Sequence, residues 1–406
     1  MNPSTQRSGG SSVALVFSRF GPYHLARIRA AAAALAETGH SLAAISIAGS
    51  DRTYAWNRVE SPEGCRTHLL FPDAVYEGLS EAAIEWRLTE CLRAIQPAAV
   101  ALPGWAFAEA RAGLRWCGAN KAGAVLMSES SYGDHYRLWP REILKKWMVG
   151  KFHAALVGGS RHADYAMRLG IPRAAIFNGY DAVDNEYFST GADRVRASAA
   201  NVRAQHRLPE HYLLSSSRFI SKKNIDGLLR GYARYRATTQ DARDLVLCGD
   251  GEQGERLKAL ARKLGVDAHV HWPGFVQYPD LPAYYGLADA FILASTIEPW
   301  GLVVNEAMAS GLPVLVSNRC GSAPDLVVEG ETGFTFDPDD PEAIAAAIRK
   351  IPADVAGRVA MGTRARARID KWSPRHFGLG LLEASRMALA RLGREDLGLP
   401  RMGAME

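Results

Sequence analysis

The fold turns on residues 293–317, LASTIEPWGLVVNEAMASGLPVLVS. The apolar run AFILAS (290–295) leads into this stretch and reads as a buried strand. Thr296 to Pro299 make the turn after it. A helix is expected from near Gly301 to Gly311, with Pro313 blocking its continuation. LPVLVS (312–317) is then the next strand. Strand, turn, helix and strand in that order form a βαβ unit of a parallel sheet. Two carboxylates, Glu298 and Glu306, stand eight residues apart in this otherwise apolar sequence. Burying a carboxylate costs several kcal/mol unless a partner accompanies it.

The same rhythm extends outward from this unit. YLLSSS, a helix from Asn224, DLVLCG, a helix over 252–264, AHVHWPG and a helix over 279–287 precede it. Further back, VALVF (13–17) is followed by YHLARIRAAAAALAETGH, whose Ala, Leu and Ile spacing marks an amphipathic helix stopped at Gly39. SLAAISIA, AAVALP (98–103), a helix near 106–119, AGAVLM (122–127), AALVGG, the helix HADYAMRLG and AAIFNG complete that half. The Ala-, Arg- and Ser-rich stretch from Ser189 to about Arg207 breaks the rhythm and reads as a linker. The expected organisation is a disordered lead-in over 1–12, an α/β domain over 13–188, the linker over 189–207, a second α/β domain over 208–372, and a helical segment over 373–406 that crosses back to the first domain. Ligands of such parallel sheets bind beyond the carboxyl ends of the strands.

Size and composition bound the function. The chain has 406 residues, room for two or three domains at roughly 100–200 residues each. Apolar residues make up 48% and charged residues 22%, an ordinary globular balance. Lys plus Arg total 48 and Asp plus Glu 43, and the surplus of +5 is too small to make nucleic acid the main partner. No apolar run approaches the ~18 residues of a membrane span. The stretch MNPSTQRSGGSS lacks the apolar core of a signal peptide. Cys65, Cys91, Cys117, Cys248 and Cys320 are scattered and form no CxxC pair, as expected of free thiols in a reducing cytoplasm.

Glu298 falls in the loop at a strand's carboxyl end, and Glu306 about a turn and a half into the following helix. Between them the helix N-terminus presents unpaired amides and partial positive charge. Gly301 has no side chain to obstruct approach to that backbone. An anion can sit there, flanked by two hydrogen-bond acceptors, for which sugar hydroxyls are natural partners. A nucleoside diphosphate sugar would supply both the phosphate and the hydroxyls. The bland alternative is an ordinary helix start with both carboxylates in water. The apolar continuation AMASGLPVLVS, which packs helix on strand, argues against free exposure of Glu306.

EPWGLVVNEAMASGLPVLVS resembles the Glu-x7-Glu motif of retaining GT-B glycosyltransferases, specifically the GT4 family. SSSRFISKKNIDGLLRGY resembles that family's phosphate-binding segment. LVLCGDGEQGERLKALARKLG, HVHWPGFVQYPDLPAYYGLADAFILAS and VVEGETGFTFDPDDPEAIAAAI resemble its further blocks in the right order. In the first half, GHSLAAI and IFNGYDAVDNEYF match more loosely. The resemblance implies that Glu298 touches donor hexose hydroxyls and that the amides of Trp300, Gly301 and Leu302 face the hexose and distal phosphate. It implies that Glu306 accepts from the ribose, that Arg218 and Lys223 neutralise the diphosphate, and that backbone near Phe275 and Val276 lines the base. Arg218 and Lys223 suit that role as charge-assisted donors to a leaving group on which negative charge grows.

Gly249-Asp-Gly-Glu-Gln-Gly254 matches a dinucleotide fingerprint after a strand, so an NAD(P)-dependent oxidoreductase is an alternative. AHVHW ends without the acidic residue that would hold a ribose, and the pattern opens mid-chain. Asp337-Pro-Asp339 imitates a metal-binding pair, but Asp340 and Pro341 fit a helix cap and first turn, and no metal is expected. In the first strand-to-helix loop, Ser18-Arg-Phe-Gly-Pro-Tyr-His24, the family's two adjacent glycines are replaced by Gly21 and Pro22. Gly21 remains a candidate diphosphate contact. His24 either faces the cleft or serves the helix start. LMSESSYGDHYR offers Glu129 at a strand's carboxyl end, a candidate for acceptor or hexose, with His135 farther on. REILKKWMVGKFHAAL (141–156) is a basic amphipathic helix pattern with Ile143, Leu144, Trp147, Met148 and Phe152 on one side. Packing of that stripe on the sheet is the expectation, and a membrane surface is the alternative.

The resemblance thus implies a GT-B fold, two facing Rossmann-like domains with a cleft between them and the donor mainly on the second. The expected activity is retaining, metal-independent transfer of a hexose from a nucleotide sugar, a UDP-sugar by expectation, to a hydroxyl of a saccharide, lipid-linked sugar or small molecule. No cofactor and no nucleic acid are expected, and the expected location is cytoplasmic, with a peripheral contact to the inner membrane face through 141–156 as a variant. Another nucleotide-sugar enzyme on the same fold, the oxidoreductase, and a non-catalytic sugar-nucleotide-binding protein are the alternatives.

Overall fold

The computed structural model describes residues 11–52, 56, 59, 60, 62–134 and 139–394. Residues 1–10 of the expected lead-in and His135 lie outside the described residues, while Ser12 already opens the first strand. The chain builds two parallel sheets. The first comprises β1 (Ser12–Arg19), β2 (Ser41–Ser50), β3 (Arg66–Val75), β4 (Ala99–Pro103), β5 (Gly123–Ser128), β6 (Ala154–Val157) and β7 (Ile176–Asn178). Their spatial order is β3-β2-β1-β4-β5-β6-β7. The second comprises β8 (Tyr212–Ser216), β9 (Asp244–Cys248), β10 (Val270–Gly274), β11 (Ala290–Leu293), β12 (Val314–Ser317) and β13 (Gly333–Phe336), ordered β10-β9-β8-β11-β12-β13.

The central strands read as continuous apolar runs because helices cover both faces of each sheet. Val13 to Phe17 of β1 and Phe291 to Leu293 of β11 are buried throughout. Strand order reverses between β1 and β4 in the first sheet, and between β8 and β11 in the second. Chains leaving the two strands at such a point part in opposite directions and open a crevice for a ligand. The loops that carry Gly21, and Arg218 with Glu298, are the ones that leave these strands.

The stretch expected as linker is helical. Helices Asn185–Ala197 and Ala199–His206 occupy it and pack on the second domain's helix Leu281–Leu287. The helix Pro374–Ala390 returns to the first domain, where Phe377, Leu381 and Leu382 are buried against the helix Pro22–Ala36 and the sheet. Among the described residues, no helix is long and apolar enough to cross a membrane.

The basic helix departs from its expected packing. Helix Trp139–Val149 turns Trp139, Ile143, Leu144 and Trp147 outward, at 75%, 59%, 53% and 59% exposure. Only Val149 within it, and Phe152 just beyond, are buried, with Met148 half-buried. The reason is local. Glu142 and Lys145 point inward and meet Tyr165 of the helix Ser160–Arg168, Glu142 accepting from its hydroxyl at 2.8 Å and the Lys145 ammonium lying 3.1 Å from that oxygen. With the polar stripe docked inward, a helix of about 3.6 residues per turn has to present its apolar stripe to solvent.

Candidate active site in the interdomain cleft

Loop 217–224 leaves β8 and loop 294–301 leaves β11, so both meet at the switch point of the second sheet. They are laced together by Thr296 N–H donating to the Lys222 carbonyl at 2.9 Å and by the Asn224 amide donating to the Ala294 carbonyl at 3.1 Å. This brings Lys223 against Glu298, whose carboxylate also accepts from Ser295 Oγ at 3.1 Å. The pair is shielded, with side-chain exposures of 13% and 9%. Arg218 stands half-buried five residues earlier on the same loop.

The helix after Glu298 runs Leu302–Ala309, slightly shorter than expected, and no side chain caps its N-terminus. Gly301 takes φ +95, and a Cβ there would press the Glu298 Cγ at 3.2 Å and the Cys320 Sγ at 3.0 Å. Any other residue at 301 would strain the backbone and push Glu298 from its place. Four residues into the helix, Glu306 is 1% exposed. One of its oxygens accepts from Tyr23 of the first domain, the other from Tyr285 at 2.5 Å. Burial, only partly offset by the two hydroxyls, raises the Glu306 carboxyl to about 7.

A network ties the Glu298 turn to the first domain. His162 Nδ1 accepts from the Gly159 amide at 3.2 Å, which places the proton on Nε2, and Nε2 donates to the Pro299 carbonyl at 2.9 Å. Burial holds His162 below the usual imidazole range, so it is neutral. Trp300 is fully buried; its indole N–H donates to Asn305 at 2.9 Å, and Asn305 donates to the Asp181 carbonyl at 2.9 Å. The Asp181 Oδ2 atom is buried without a hydrogen-bond partner, and burial, with the Glu129 charge added, raises that carboxyl well above its usual range.

The first domain places Glu129 at the carboxyl end of β5, open to the cleft but crowded by protein. That crowding, followed by the Glu298 charge, raises the Glu129 carboxyl. A cavity of about 460 Å³ opens beside Glu298, lined by Tyr132, Asp134, Arg161, Arg168 and Arg319 among others. On the opposite flank of the Tyr23–Glu306 contact, Trp56 of the first domain meets Phe275 at 5.0 Å and Tyr23 at 6.4 Å between ring centroids. Val276 beside Phe275 is buried.

The profile of the family described as Glycosyl transferases group 1 matches residues 199–368, which hold Arg218, Lys223, Glu298 and Glu306. The chain is 32% identical over 221 residues to the "GDP-mannose-dependent alpha-(1-6)-phosphatidylinositol monomannoside mannosyltransferase" of Mycolicibacterium smegmatis, covering 52% of this chain and 56% of that one. It is 30% identical over 265 residues to the protein of the same description from Mycobacterium tuberculosis, covering 61% and 66%.

The match places residues 199–368 in the glycosyl transferases group 1 family, of GT4 type, and the chain has the GT-B fold.

The matches span 56% and 66% of the two mycobacterial relatives' length. Sucrose-phosphate synthase from Thermosynechococcus elongatus shares the fold at a TM-score of 0.68 with 21% identity, covering 91% of this chain and 96% of that one. Anabaena HepE, in a complex with UDP and glucose, does so at 0.67 with 14% identity, covering 91% and 97%.

In the cleft the structure brings Lys223, Glu298 and the start of the helix Leu302–Ala309 together, with Glu129 facing them. Glu306 is held by tyrosines rather than open to the cleft. His24 Nδ1 accepts from the Gly21 amide at 2.9 Å and its ring packs on Phe17 at 4.3 Å, so it serves the helix start. The glycines of the dinucleotide-like stretch serve packing: a Cβ at Gly249 would lie 1.8 Å from the Ser217 carbonyl oxygen, and one at Gly251 would lie 2.7 Å from that of Phe219. Asp340 caps the helix Pro341–Arg349 by accepting from the Glu342 amide at 2.8 Å, and Asp337 and Asp339 face Arg319. Tyr23, Tyr285, His162, Asn305 and Asp181 were not singled out from sequence. Their roles arise from contacts between distant segments, and no local spacing signals them.

Proposed function

We propose that this protein transfers a glycosyl unit, with retention at the anomeric carbon, from a nucleoside diphosphate sugar to a hydroxyl acceptor. The observation that carries the reading is the meeting of Lys223 and Glu298 at the uncapped start of the helix Leu302–Ala309, inside the interdomain cleft. The helix start and the Arg218 and Lys223 cations suit a diphosphate, and Glu298 suits sugar hydroxyls. Positive charge from these side chains stabilises the leaving diphosphate without calling on a metal. In the reaction the bond from C1 to the phosphate oxygen breaks and a bond from the acceptor oxygen to C1 forms on the same face. The acceptor's proton passes to the departing phosphate oxygen. The protein then contributes positioning and leaving-group stabilisation, with the closed cleft limiting hydrolysis.

For the base, a GDP-sugar has the stronger support. Both mycobacterial relatives are named GDP-mannose-dependent, whereas for the expected UDP-sugar the support is UDP in complexes of a solved neighbour at 14–15% identity. For the acceptor, the same relatives' names point to a glycolipid. A thermal-shift screen with GDP-, UDP-, ADP- and TDP-sugars tests the donor, since a ligand of the native state raises Tm with occupancy. A shift with one base, followed by nucleotide release, is the expected result. A shift without release under any condition leaves a binding protein, and absence of any shift removes the reading.

A further inference from the structure

The outward apolar ridge of the helix Trp139–Val149 is inverted relative to a helix that packs on a core. Trp139, Ile143 and Trp147 follow one another at four-residue steps, with Leu144 beside them, and all are exposed. Arg141 and Lys146 lie on the two sides of that ridge and are exposed, as is Lys151, whose ammonium sits 3.3 Å from the Trp147 ring centroid. Over 139–151 there are four cations (Arg141, Lys145, Lys146, Lys151) and one carboxylate (Glu142), a surplus of three. Apolar and indole groups in the middle and cations at the margins match the depth profile of an anionic bilayer, with acyl chains below and headgroup phosphates around.

The ridge also adjoins the cleft. Tyr165 bonds to Glu142 and Lys145 of this helix and lines the 460 Å³ cavity beside Glu298. Tyr132, 52% exposed, packs its ring 6.2 Å from Tyr165 on the wall of the same cavity.

We propose that the exposed face of this helix lies on an anionic lipid bilayer, and that the cavity next to it receives the accepting hydroxyl from a lipid headgroup held in that bilayer. The headgroup part rests on the glycosyl-transfer reading; the docking part does not. Docking brings the acceptor to the cavity by two-dimensional diffusion and leaves the acyl chains in the membrane.

The test is co-sedimentation of the full chain with phosphatidylcholine vesicles, with and without phosphatidylglycerol. Wild type is expected to pellet with the anionic vesicles and to be released by high salt. The variant carrying Ile143→Glu, Leu144→Glu and Trp147→Glu is expected to lose at least about tenfold in vesicle affinity, each lost apolar anchor and added like charge acting against the surface. Its Tm and its nucleotide release from a soluble donor should match wild type, because these side chains are exposed. Val359→Glu, an exposed apolar position on the helix Val355–Ile369, should change nothing. Wild type remaining in the supernatant, or the triple variant binding as well as wild type, overturns docking. So does a wild-type dimer in light scattering that the triple variant dissolves, since the face then belongs to a second copy. Vesicle binding without nucleotide release from any sugar donor would remove the transfer reading and leave docking in place.

Discussion

Tyr23, in the first turn of the first domain's opening helix, donates its hydroxyl to Glu306, 283 residues away in the second domain. With Glu306 accepting from the donor ribose, as the family resemblance implies, this hydroxyl stands where a ribose hydroxyl would bind. Tyr23 and the ligand then compete for one carboxylate oxygen, while Tyr285 keeps the other. Hydrogen bonds to charged groups contribute about 1.5–3 kcal/mol. Tyr23→Phe should therefore tighten nucleotide-sugar binding, by up to about tenfold once lost packing is offset. Titration calorimetry measures it. Unchanged or weaker binding would show that Tyr23 does not compete with the ligand.

Under the proposed function the Lys223–Glu298 pair serves stability as well as chemistry. Removing one partner of a shielded pair strands the other, at about 3–5 kcal/mol in a dry interior and less beside a cleft that admits water. Lys223→Ala should lower Tm and also lower turnover by about a hundredfold through loss of leaving-group stabilisation. The double variant Lys223→Met with Glu298→Gln removes the stranded charge. It should recover most of the Tm in calorimetry and none of the turnover. Turnover returning with stability would take Lys223 out of the chemistry.

Two buried groups should shape stability against pH with opposite signs. Glu306 has an ordinary value of 4.5 and a folded value of about 7. Between these the native state holds more protons than the unfolded chain, so stability present below pH 4.5 is lost as pH rises toward 7. His24 has an ordinary value of 6.5 and a folded value of about 3, through burial and then the Arg27 and Arg19 charges. There the native state holds fewer protons, so stability present above 6.5 is lost as pH falls toward 3. Each contributes up to about 1.4 kcal/mol per pH unit inside its window. Glu306→Gln should gain on wild type as pH rises through its window, and His24→Asn should gain as pH falls through its own. Thermal melts read as variant-minus-wild-type differences cancel the contributions of Asp181 and Glu129. A difference that stays flat with pH would contradict the assignment for that residue.

The second domain was legible because its signals are local. Gly301, Gly311 and Pro313 punctuate one helix, and the apolar runs around them can only be strands buried on both faces. Glu298 and Lys223 were legible through the ordered blocks they sit in. Apart from Glu129, the first domain's contributions were not, because they depend on how two distant surfaces meet. Tyr23 lies in the first turn of the helix Pro22–Ala36, yet nothing local in the sequence distinguishes it from Tyr76 or Tyr132. His162 lies inside HADYAMRLG, where it reads as a helix residue. Periodicity found the apolar stripe at 143, 144 and 147 but not its direction, because a stripe has the same period whichever way it faces. The choice was made by Tyr165 engaging Glu142 and Lys145, a contact between side chains 20 and 23 residues apart.

The hydrogen bond from His162 to the Pro299 carbonyl fixes the turn that carries Glu298, and it does so from the opposite domain. Its loss should act on whatever Glu298 holds and spare what the helix start holds. In His162→Ala the half-buried Pro299 carbonyl loses its donor, at a cost below the about 1–3 kcal/mol of a fully buried group, unless the turn shifts to find water. The turn is therefore expected to relax toward the cleft and carry Glu298 with it. Under the proposed function Glu298 faces the sugar and Arg218 the diphosphate, and the family resemblance implies that backbone near Phe275 lines the base. Free nucleoside diphosphate should then bind His162→Ala as it binds wild type, while the nucleotide sugar should bind about tenfold more weakly. Paired titrations of nucleotide and nucleotide sugar against both proteins make the comparison. Equal loss for both ligands would mean that His162 supports the fold as a whole, and loss for neither would mean that the turn keeps its place without it.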